Sequence, residues 1–310
     1  DERSAGYMAD VYARVSGKVG VCEGPSGGGA TYLLPAVVEA NESSIGLVAL
    51  TTDVATASRG RYTLTELDQE ALFRPVTTWN RTIATSGELP RAVRRAFAEA
   101  ATGRPGAVHL GVPMDVQKGP VSPDDLHIDP AHGRFPARPA TPPTAELEAA
   151  AARLLAAERP LLLCGGGPVI ARARGEVTAL AEHLGAVVAT TISGQGAILD
   201  DHPLALGVVG SNGGAAETRA VLDDADLVLA VGCRLGSVTT ERWRHPPPGV
   251  PLIHLDADRA VIGANYPTAH ALLGDAKATL GALTAAVADR APARDGADAR
   301  RRVAAAKQIG

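Results

Sequence analysis

The stretch Pro160-Leu161-Leu162-Leu163-Cys164-Gly165-Gly166-Gly167 decides the fold class of this chain. Its apolar run is typical of a strand that is buried on both faces of a parallel sheet. The glycines then form a turn into a helical pattern that begins near Ile170. Short apolar runs alternate with helical patterns along the rest of the chain, which indicates strand-helix-strand units. The sequence therefore predicts an α/β protein with doubly wound parallel sheets.

This alternation divides the chain into two domains. Residues 1–116 form the first predicted domain, with strands at 19–22, 47–51 and 107–112 and a helix at 88–102. Residues 117–143 contain scattered prolines and have no sustained apolar period, so they are predicted to be an extended linker.

The alternation restarts in residues 144–290, which form the second predicted domain and resemble a Rossmann-like sheet. Its elements are a helix at 144–157 and strands at 160–164, 186–190, 227–231 and 250–255. Residues 291–310 are rich in Ala, Arg and Asp and are predicted to be a second linker, in which residues 300–309 form either a helix or extended chain.

Charge and composition exclude several classes of partner. The formal net charge is −4 and is spread without long runs of one sign, which argues against binding to nucleic acid or to a membrane surface. The apolar stretches are too short to cross a bilayer. The eight histidines and three cysteines show no metal-ligand spacing, and the cysteines are expected to be buried and reduced. We therefore expect a cytoplasmic protein that acts on small molecules and has no metal site of its own.

A glycine-rich loop, Gly24-Pro25-Ser26-Gly27-Gly28-Gly29-Ala30-Thr31, follows the first predicted strand. Its spacing is similar to that of a phosphate-binding loop, but Ala30 stands where such a loop needs a lysine. This change disfavours a nucleoside triphosphatase. The backbone at Gly27 and Gly28 still permits close approach of a ligand. A turn that needs a positive φ explains the glycines equally well.

The glycines after residue 164 lack the full dinucleotide fingerprint. Ile170 replaces the third glycine, and this disfavours a classical NAD dehydrogenase. Asp256 ends a predicted strand at the edge where doubly wound sheets bind ligands. Its carboxylate either meets a ligand there or caps the turn at Ala257-Asp258.

The motifs occur in an order that resembles the acetolactate synthase-like family of thiamine-diphosphate enzymes, and the resemblance runs through essentially all 310 residues. Besides the opening block at 1–31, the motifs that carry it are 74–77, 102–108, 112–117, 165–167, 201–204, 225–234, 253–256 and 274–276. Each motif is weak by itself, whereas the ordered series is specific.

The resemblance implies a function for the first domain. Residues 1–116 would be a pyrimidine-binding domain that is incomplete at its start, and Glu2 would be the catalytic carboxylate that hydrogen-bonds the cofactor's pyrimidine ring. The enzyme would make or break a C–C bond next to a carbonyl in a 2-oxo acid. Thiamine diphosphate and Mg2+ would need a further domain beyond residues 291–310, so the chain alone is expected to be inactive. The resemblance also implies that the protein is a homodimer or homotetramer.

For the second domain the resemblance implies a nucleotide site. FAD or ADP would bind at positions matching the family's motifs, which are Gly166, Gly167, Thr191, Gly232, Arg234 and Asp256. Several positions depart from acetolactate synthases, among them Asp1, where the family commonly has His. A related lyase, decarboxylase or acyltransferase therefore stays open. The alternative is a non-catalytic nucleotide-binding or oligomerising module derived from the family.

Overall fold

A computed structural model describes residues 1–308, and contacts divide this part of the chain into two compact units. The first unit ends at Arg138 and the second begins at Pro139, which lies inside the segment predicted to be a linker. Isolated bridges join Lys18 to Arg134 and Thr102 to Ala137, so the segment before the division pairs with the first unit. The last two positions of the predicted second linker, 309 and 310, lie outside the described residues.

The first unit is a parallel sheet with helices. Its strands are β1 (Gly20–Gly24), β2 (Leu47–Asp53), β3 (Trp79–Thr82) and β4 (Ala107–Pro113), and its helices are α1 (Glu2–Ser16), α2 (Gly28–Glu42), α3 (Gln69–Phe73), α4 (Leu89–Ala101) and α5 (Met114–Gln117). The strand order is β1-β2-β4-β3, and the chain passes over β4 on its way to the edge strand β3. Every pairing among these strands is parallel.

Helices α1 and α2 pack closely against each other because both carry small residues at the crossing. A Cβ atom at Gly6 would lie 2.7 Å from the Ala36 Cβ atom. Gly6 and Ala36 are buried, and so is the neighbouring Leu33. This close approach holds the first half of α1 against the middle of α2.

The second unit is a larger parallel sheet. Its strands are β5 (Pro160–Cys164), β6 (Val187–Thr190), β7 (Ala205–Val208), β8 (Leu227–Val231), β9 (Leu252–Asp256) and β10 (His270–Leu273). Its helices are α6 (Thr144–Ala156), α7 (Gly166–Ile170), α8 (Arg174–Leu184), α9 (Ala216–Asp223), α10 (Ala276–Ala288) and α11 (Ala297–Lys307). The central strands β5 and β8 are apolar and buried along their whole length, as the sequence predicts.

The strand order of the second sheet is β10-β9-β8-β5-β6-β7. The chain runs from β5 outward to β7, then returns to the other side of β5 with β8 and continues to β10. The order in which successive strands are added to the sheet therefore reverses between β5 and β8, and doubly wound sheets bind ligands at such a point. The predicted α/β class with parallel sheets is confirmed.

The cysteines lie in the cores, as predicted. Cys22, Cys164 and Cys233 are all buried free thiols. Burial raises the pKa of Cys22 to about 12 and that of Cys233 to about 11, and it raises the pKa of Cys164 further. In residues 1–308, no helix is long and apolar enough to cross a membrane.

Candidate functional site

Glu2 occupies the first turn of α1 and is half-buried. Asp1 caps this helix, since its carboxylate accepts a hydrogen bond from the Ser4 backbone N–H at 2.9 Å. The Glu2 carboxylate lies beside the start of α2, where a Cβ atom at Gly29 would come within 3.2 Å of Glu2 Oε1. Among residues 1–308, Glu2 has neither a side-chain hydrogen bond nor an ion pair. Its oxygens therefore remain available as acceptors next to the glycine turn.

The turn between β1 and α2 owes its glycines partly to backbone geometry. Gly27 has a φ of +67°, and a Cβ atom there would lie 2.9 Å from the Thr65 Cβ atom. The Ser26 and Thr65 hydroxyls are 2.7 Å apart, which ties this turn to the loop after β2. The predicted positive φ is confirmed. By contrast, a Cβ atom at Gly28 would have nothing within 4 Å, so the surface is open there.

A buried polar cluster lies between strands β2 and β4 and the start of α3, and the sequence analysis did not single it out. The Thr51 hydroxyl donates to Gln69 Oε1 and lies 2.7 Å from His109 Nε2, which must then be the donor in that contact. Gln69 Nε2 donates to the Thr52 carbonyl at 2.8 Å. The cluster fastens the start of α3 to strand β2.

His109 is stacked on Phe73, with ring centroids 3.8 Å apart, and is completely buried. Burial lowers the pKa of its imidazole to about 3, so the ring is neutral at physiological pH. Its Nδ1 atom is buried and has no hydrogen-bond partner within the described chain. The sequence feature that could have indicated this cluster is a histidine within the otherwise apolar strand β4.

In the second unit, three glycines allow the loops after β5 and β8 to touch through their backbones. A Cβ atom at Gly165 would lie 2.1 Å from the Gly232 carbonyl oxygen, and one at Gly232 would lie 2.4 Å from Gly167 Cα. Gly167 N–H donates to the Gly232 carbonyl at 3.1 Å. We call this contact of Gly165, Gly167 and Gly232 the glycine crossing. Much of the glycine requirement here is therefore structural.

Gly166 and Thr191 lie next to the glycine crossing. A Cβ atom at Gly166 would come no closer than 3.5 Å to Ser193, which is ordinary contact. Thr191 N–H donates to the Cys164 carbonyl at 2.9 Å, and its hydroxyl accepts from Gly194 N–H at 3.1 Å. Thr191 thus fixes the loop after β6 against the end of β5.

Arg234 and Asp256 complete the set of residues predicted for this edge. Arg234 is exposed after β8, and Asp256 is partly buried at the end of β9. Burial raises the pKa of the Asp256 carboxyl above its ordinary value, while the Asp258 N–H and the Arg234 charge act in the opposite direction. Asp256 Oδ1 accepts from Asp258 N–H at 2.9 Å, so the turn-capping role that the sequence left open is confirmed.

The predicted site residues therefore form two groups. Glu2, Gly27 and Gly28 lie together at the start of α2 in the first unit. Gly166, Gly167, Thr191, Gly232, Arg234 and Asp256 lie at the carboxyl edge of the second sheet. Over the described range, no group of three or more His, Cys, Asp or Glu side chains is arranged to hold a metal ion.

Comparison with known proteins places both units in one family. Residues 1–72 match the description "Thiamine pyrophosphate enzyme, N-terminal TPP binding domain", and residues 147–283 match "Thiamine pyrophosphate enzyme, central domain". The chain belongs to the thiamine pyrophosphate enzyme family. The resemblance drawn from the ordered motifs is thereby confirmed.

Similar proteins align with nearly all of this chain. A probable acetolactate synthase large subunit from Methanocaldococcus jannaschii is 40% identical over 92% of this chain and 48% of its own length. A probable 2-ketoarginine decarboxylase from Pseudomonas aeruginosa is 39% identical over 98% of this chain and 53% of its own length. An acetolactate synthase from Mycobacterium bovis is 36% identical over 92% of this chain and 46% of its own length. The chain thus spans about half the length of the curated relatives it matches.

Proposed function

We propose that the full-length protein is a thiamine-diphosphate-dependent lyase or transferase that makes or breaks a C–C bond next to a carbonyl. Its substrates would be 2-oxo acids, which undergo decarboxylation or carboligation. Family membership supports this proposal, as do relatives described as acetolactate synthases and as a 2-ketoarginine decarboxylase. The single observation that carries it is the Glu2 carboxylate beside Gly29 at the start of α2.

The residues at this place fit the pyrimidine end of thiamine diphosphate. Glu2 offers carboxylate oxygens that are half-shielded from water, and the space over Gly28 is open. A ring nitrogen that carries a proton could therefore hydrogen-bond to Glu2 while the ring approaches the backbone of Gly27 and Gly28. When bound, the cofactor supplies the electron sink that C–C bond cleavage next to a carbonyl requires.

In this proposal Glu2 is the catalytic residue of the chain, and its task is to share a proton with the bound ring nitrogen through a carboxylate oxygen. General acid–base groups must lie within hydrogen-bond reach of the proton that they move. The packing of α1 against α2 keeps Glu2 beside the turn between β1 and α2. The contact between the Ser26 and Thr65 hydroxyls ties this turn to the loop after β2. The chain thereby orients the carboxylate before any ligand arrives.

We also propose a nucleotide, FAD or ADP, at the carboxyl edge of the second sheet. The residues that would hold it are Gly166, Gly167, Thr191, Gly232, Arg234 and Asp256. Their position beside the reversal between β5 and β8 supports this site, because ligands of doubly wound sheets bind there. Gly166 provides accessible backbone and Arg234 an exposed cation, whereas Gly167 and Gly232 mainly maintain the glycine crossing.

Three further features of the family belong to this proposal. Mg2+ would accompany the diphosphate of the cofactor, which needs residues other than those in the two units described above. The working form would be a homodimer or homotetramer, and its location would be the cytoplasm.

The proposal is tested by titrating the purified chain with thiamine diphosphate and Mg2+ in a calorimeter. We expect weak binding that is lost in Glu2→Ala, because the open backbone at the turn then has no acceptor beside it. Glu23→Ala is the matched control, since Glu23 is an exposed carboxylate on β1 of the same unit. A chain that binds FAD or ADP but shows no Glu2-dependent binding of thiamine diphosphate would instead be the non-catalytic module.

A further inference from the structure

A polar depression lies in the first unit beside the edge strand β3. The strand order β1-β2-β4-β3 puts it at the opposite edge of the sheet from β1 and the glycine turn beside Glu2. Its volume is about 440 Å³, which falls in the range of small-molecule sites and exceeds what a bare phosphate ion fills. Three arginine side chains and two acidic side chains line it, together with Thr85 and Gly87. Such a lining suits a charged ligand and not an apolar one.

Two of the three arginines are oriented by groups of the depression itself. Arg81, on β3, forms an ion pair with Glu88, and the other Glu88 oxygen accepts from Ala84 N–H at 3.2 Å. Arg94, on α4, donates through Nη1 to the Asp125 backbone carbonyl. Because a guanidinium has five N–H donors, each of these two arginines keeps donors for a ligand.

Arg91 supplies a positive charge that no group of the chain uses. It is exposed, and its guanidinium has neither a hydrogen-bond nor an ion-pair partner among residues 1–308. It precedes Arg94 by three residues on α4, and side chains at this spacing are neighbours on a helix surface. Arg91 and Arg94 can therefore bind the same group in the depression.

Two uncharged parts of the lining are also accessible to a ligand. The Thr85 hydroxyl is exposed and makes no hydrogen bond within the described part of the chain. A Cβ atom at Gly87 would meet nothing within 4 Å, so a ligand can approach the backbone there. The opposing group is the Asp125 carboxylate, which is exposed and has no partner among the described side chains. Donors and positive charge therefore exceed acceptors and negative charge around the depression.

We propose that this depression binds a small molecule that carries an oxyanion, either a carboxylate or a phosphate group. Arg91 and Arg94 are its principal ligands, and Arg81 and Thr85 add further donors. Guanidinium groups recognise both kinds of oxyanion through paired N–H donors. The site does not depend on the proposed function, because it contains neither Glu2 nor the glycine turn and lies in a different unit from the glycine crossing.

The test is calorimetric titration of the purified chain with citrate and with inorganic phosphate at low, matched ionic strength. Arg91→Gln removes a guanidinium that has no partner, so folding should be unaffected. Arg61→Gln is the matched control, because Arg61 is an exposed arginine of the same unit that does not line the depression. Asp125→Asn removes the opposing charge and keeps the backbone carbonyl that orients Arg94.

We expect citrate or phosphate to bind, Arg91→Gln to bind about tenfold more weakly, and Arg61→Gln to bind like the parent chain. Asp125→Asn should bind about two- to fivefold more tightly, because it removes a charge that repels an anion. Tighter binding of citrate identifies a carboxylate ligand, and tighter binding of phosphate identifies a phosphate ligand.

Three results would overturn the proposal. The first is that neither citrate nor phosphate binds, and the second is that Arg91→Gln binds like the parent chain. The third is that Arg61→Gln weakens binding as much as Arg91→Gln, since the effect would then come from the overall charge of the unit and not from the depression.

Discussion

Glu2 Oε1 lies so close to Gly29 that a Cβ atom at residue 29 would come within 3.2 Å of it. The added Cβ atom at residue 29 would also lie 2.4 Å from the Pro25 ring, which is closer than a Cβ atom comes to other atoms in real structures. The proposed catalytic carboxylate can therefore lie this close to the first turn of α2 only because residue 29 has no side chain. Any group added at this position must displace the turn, the carboxylate or both.

Gly29→Ala is thus expected to destabilise the first unit by about 1–3 kcal/mol and to weaken binding of thiamine diphosphate. The reason is steric, since the Pro25 ring cannot rotate away as a flexible side chain would. Gly28→Ala is the control for stability only, because a Cβ atom there has open space and suits a helix start. Urea unfolding compares the two variants, calorimetry compares Gly29→Ala with the parent chain, and equal stability of the two variants would contradict this account.

Gly232→Ala is expected to destabilise the second unit more severely, by about 3 kcal/mol or more. Its φ is +52°, and the new Cβ atom would lie 2.4 Å from Gly167 Cα, so both backbone strain and overlap oppose it. Gly236→Ala, four residues later, meets nothing within 4 Å and should be tolerated. Thermal unfolding followed by circular dichroism compares them. A Gly232→Ala variant as stable as Gly236→Ala would mean that the glycine crossing is not needed.

The buried imidazole of His109 should make stability depend on pH. Its pKa is lowered to about 3 in the folded chain, whereas the unfolded chain takes up the proton near 6.5. The unfolded state therefore gains protons first as the pH falls, and His109 lowers the free energy of unfolding by about 2 kcal/mol between pH 7 and pH 5.

The measurement is urea unfolding at both pH values for three chains. His109→Leu should lose less stability on acidification than the parent, whatever its stability at pH 7. His127→Gln, at an exposed position, should follow the parent. An unchanged pH dependence in His109→Leu would show that this imidazole is accessible to protons in the folded chain.

The three cysteines should be inert in the native chain, because only the thiolate reacts and burial raises the pKa of each thiol. Titration with a thiol reagent at pH 8 should show no rapid reaction before urea is added and three equivalents after it. Rapid labelling of the native chain would indicate that the cores open locally. Mass spectrometry of labelled peptides would then identify the unit involved.

The central strands could be predicted from the sequence, whereas β1 was the only one of the four described edge strands that was predicted. Leu227–Val231 is an unbroken apolar run with neighbours on both sides, and it was predicted with the observed bounds. The sequence analysis missed Trp79–Thr82, Ala205–Val208 and His270–Leu273, which are the edge strands β3, β7 and β10. An edge strand is paired on one side, and Trp79–Thr82 in particular keeps all its side chains partly exposed, so the apolar signal is weak.

Sequence reasoning reached the candidate site residues through motifs. Gly27 lies in a turn that was predicted to need a positive φ, whereas Gly232 was named because it matches a motif of the family. Gln69 and Thr51 escaped notice, since their role arises from a hydrogen bond between distant segments that no local spacing reveals.

The glycine crossing has a consequence for how proteins of this kind diversify. The loops after β5 and β8 are held together by main-chain atoms, and such a junction is indifferent to the identity of the side chains around it. Under the nucleotide proposal, substitutions at Arg234 or Asp256 would change what this edge recognises while the junction stays intact. Ligand preference and architecture would then depend on different residues, so that one can change without the other.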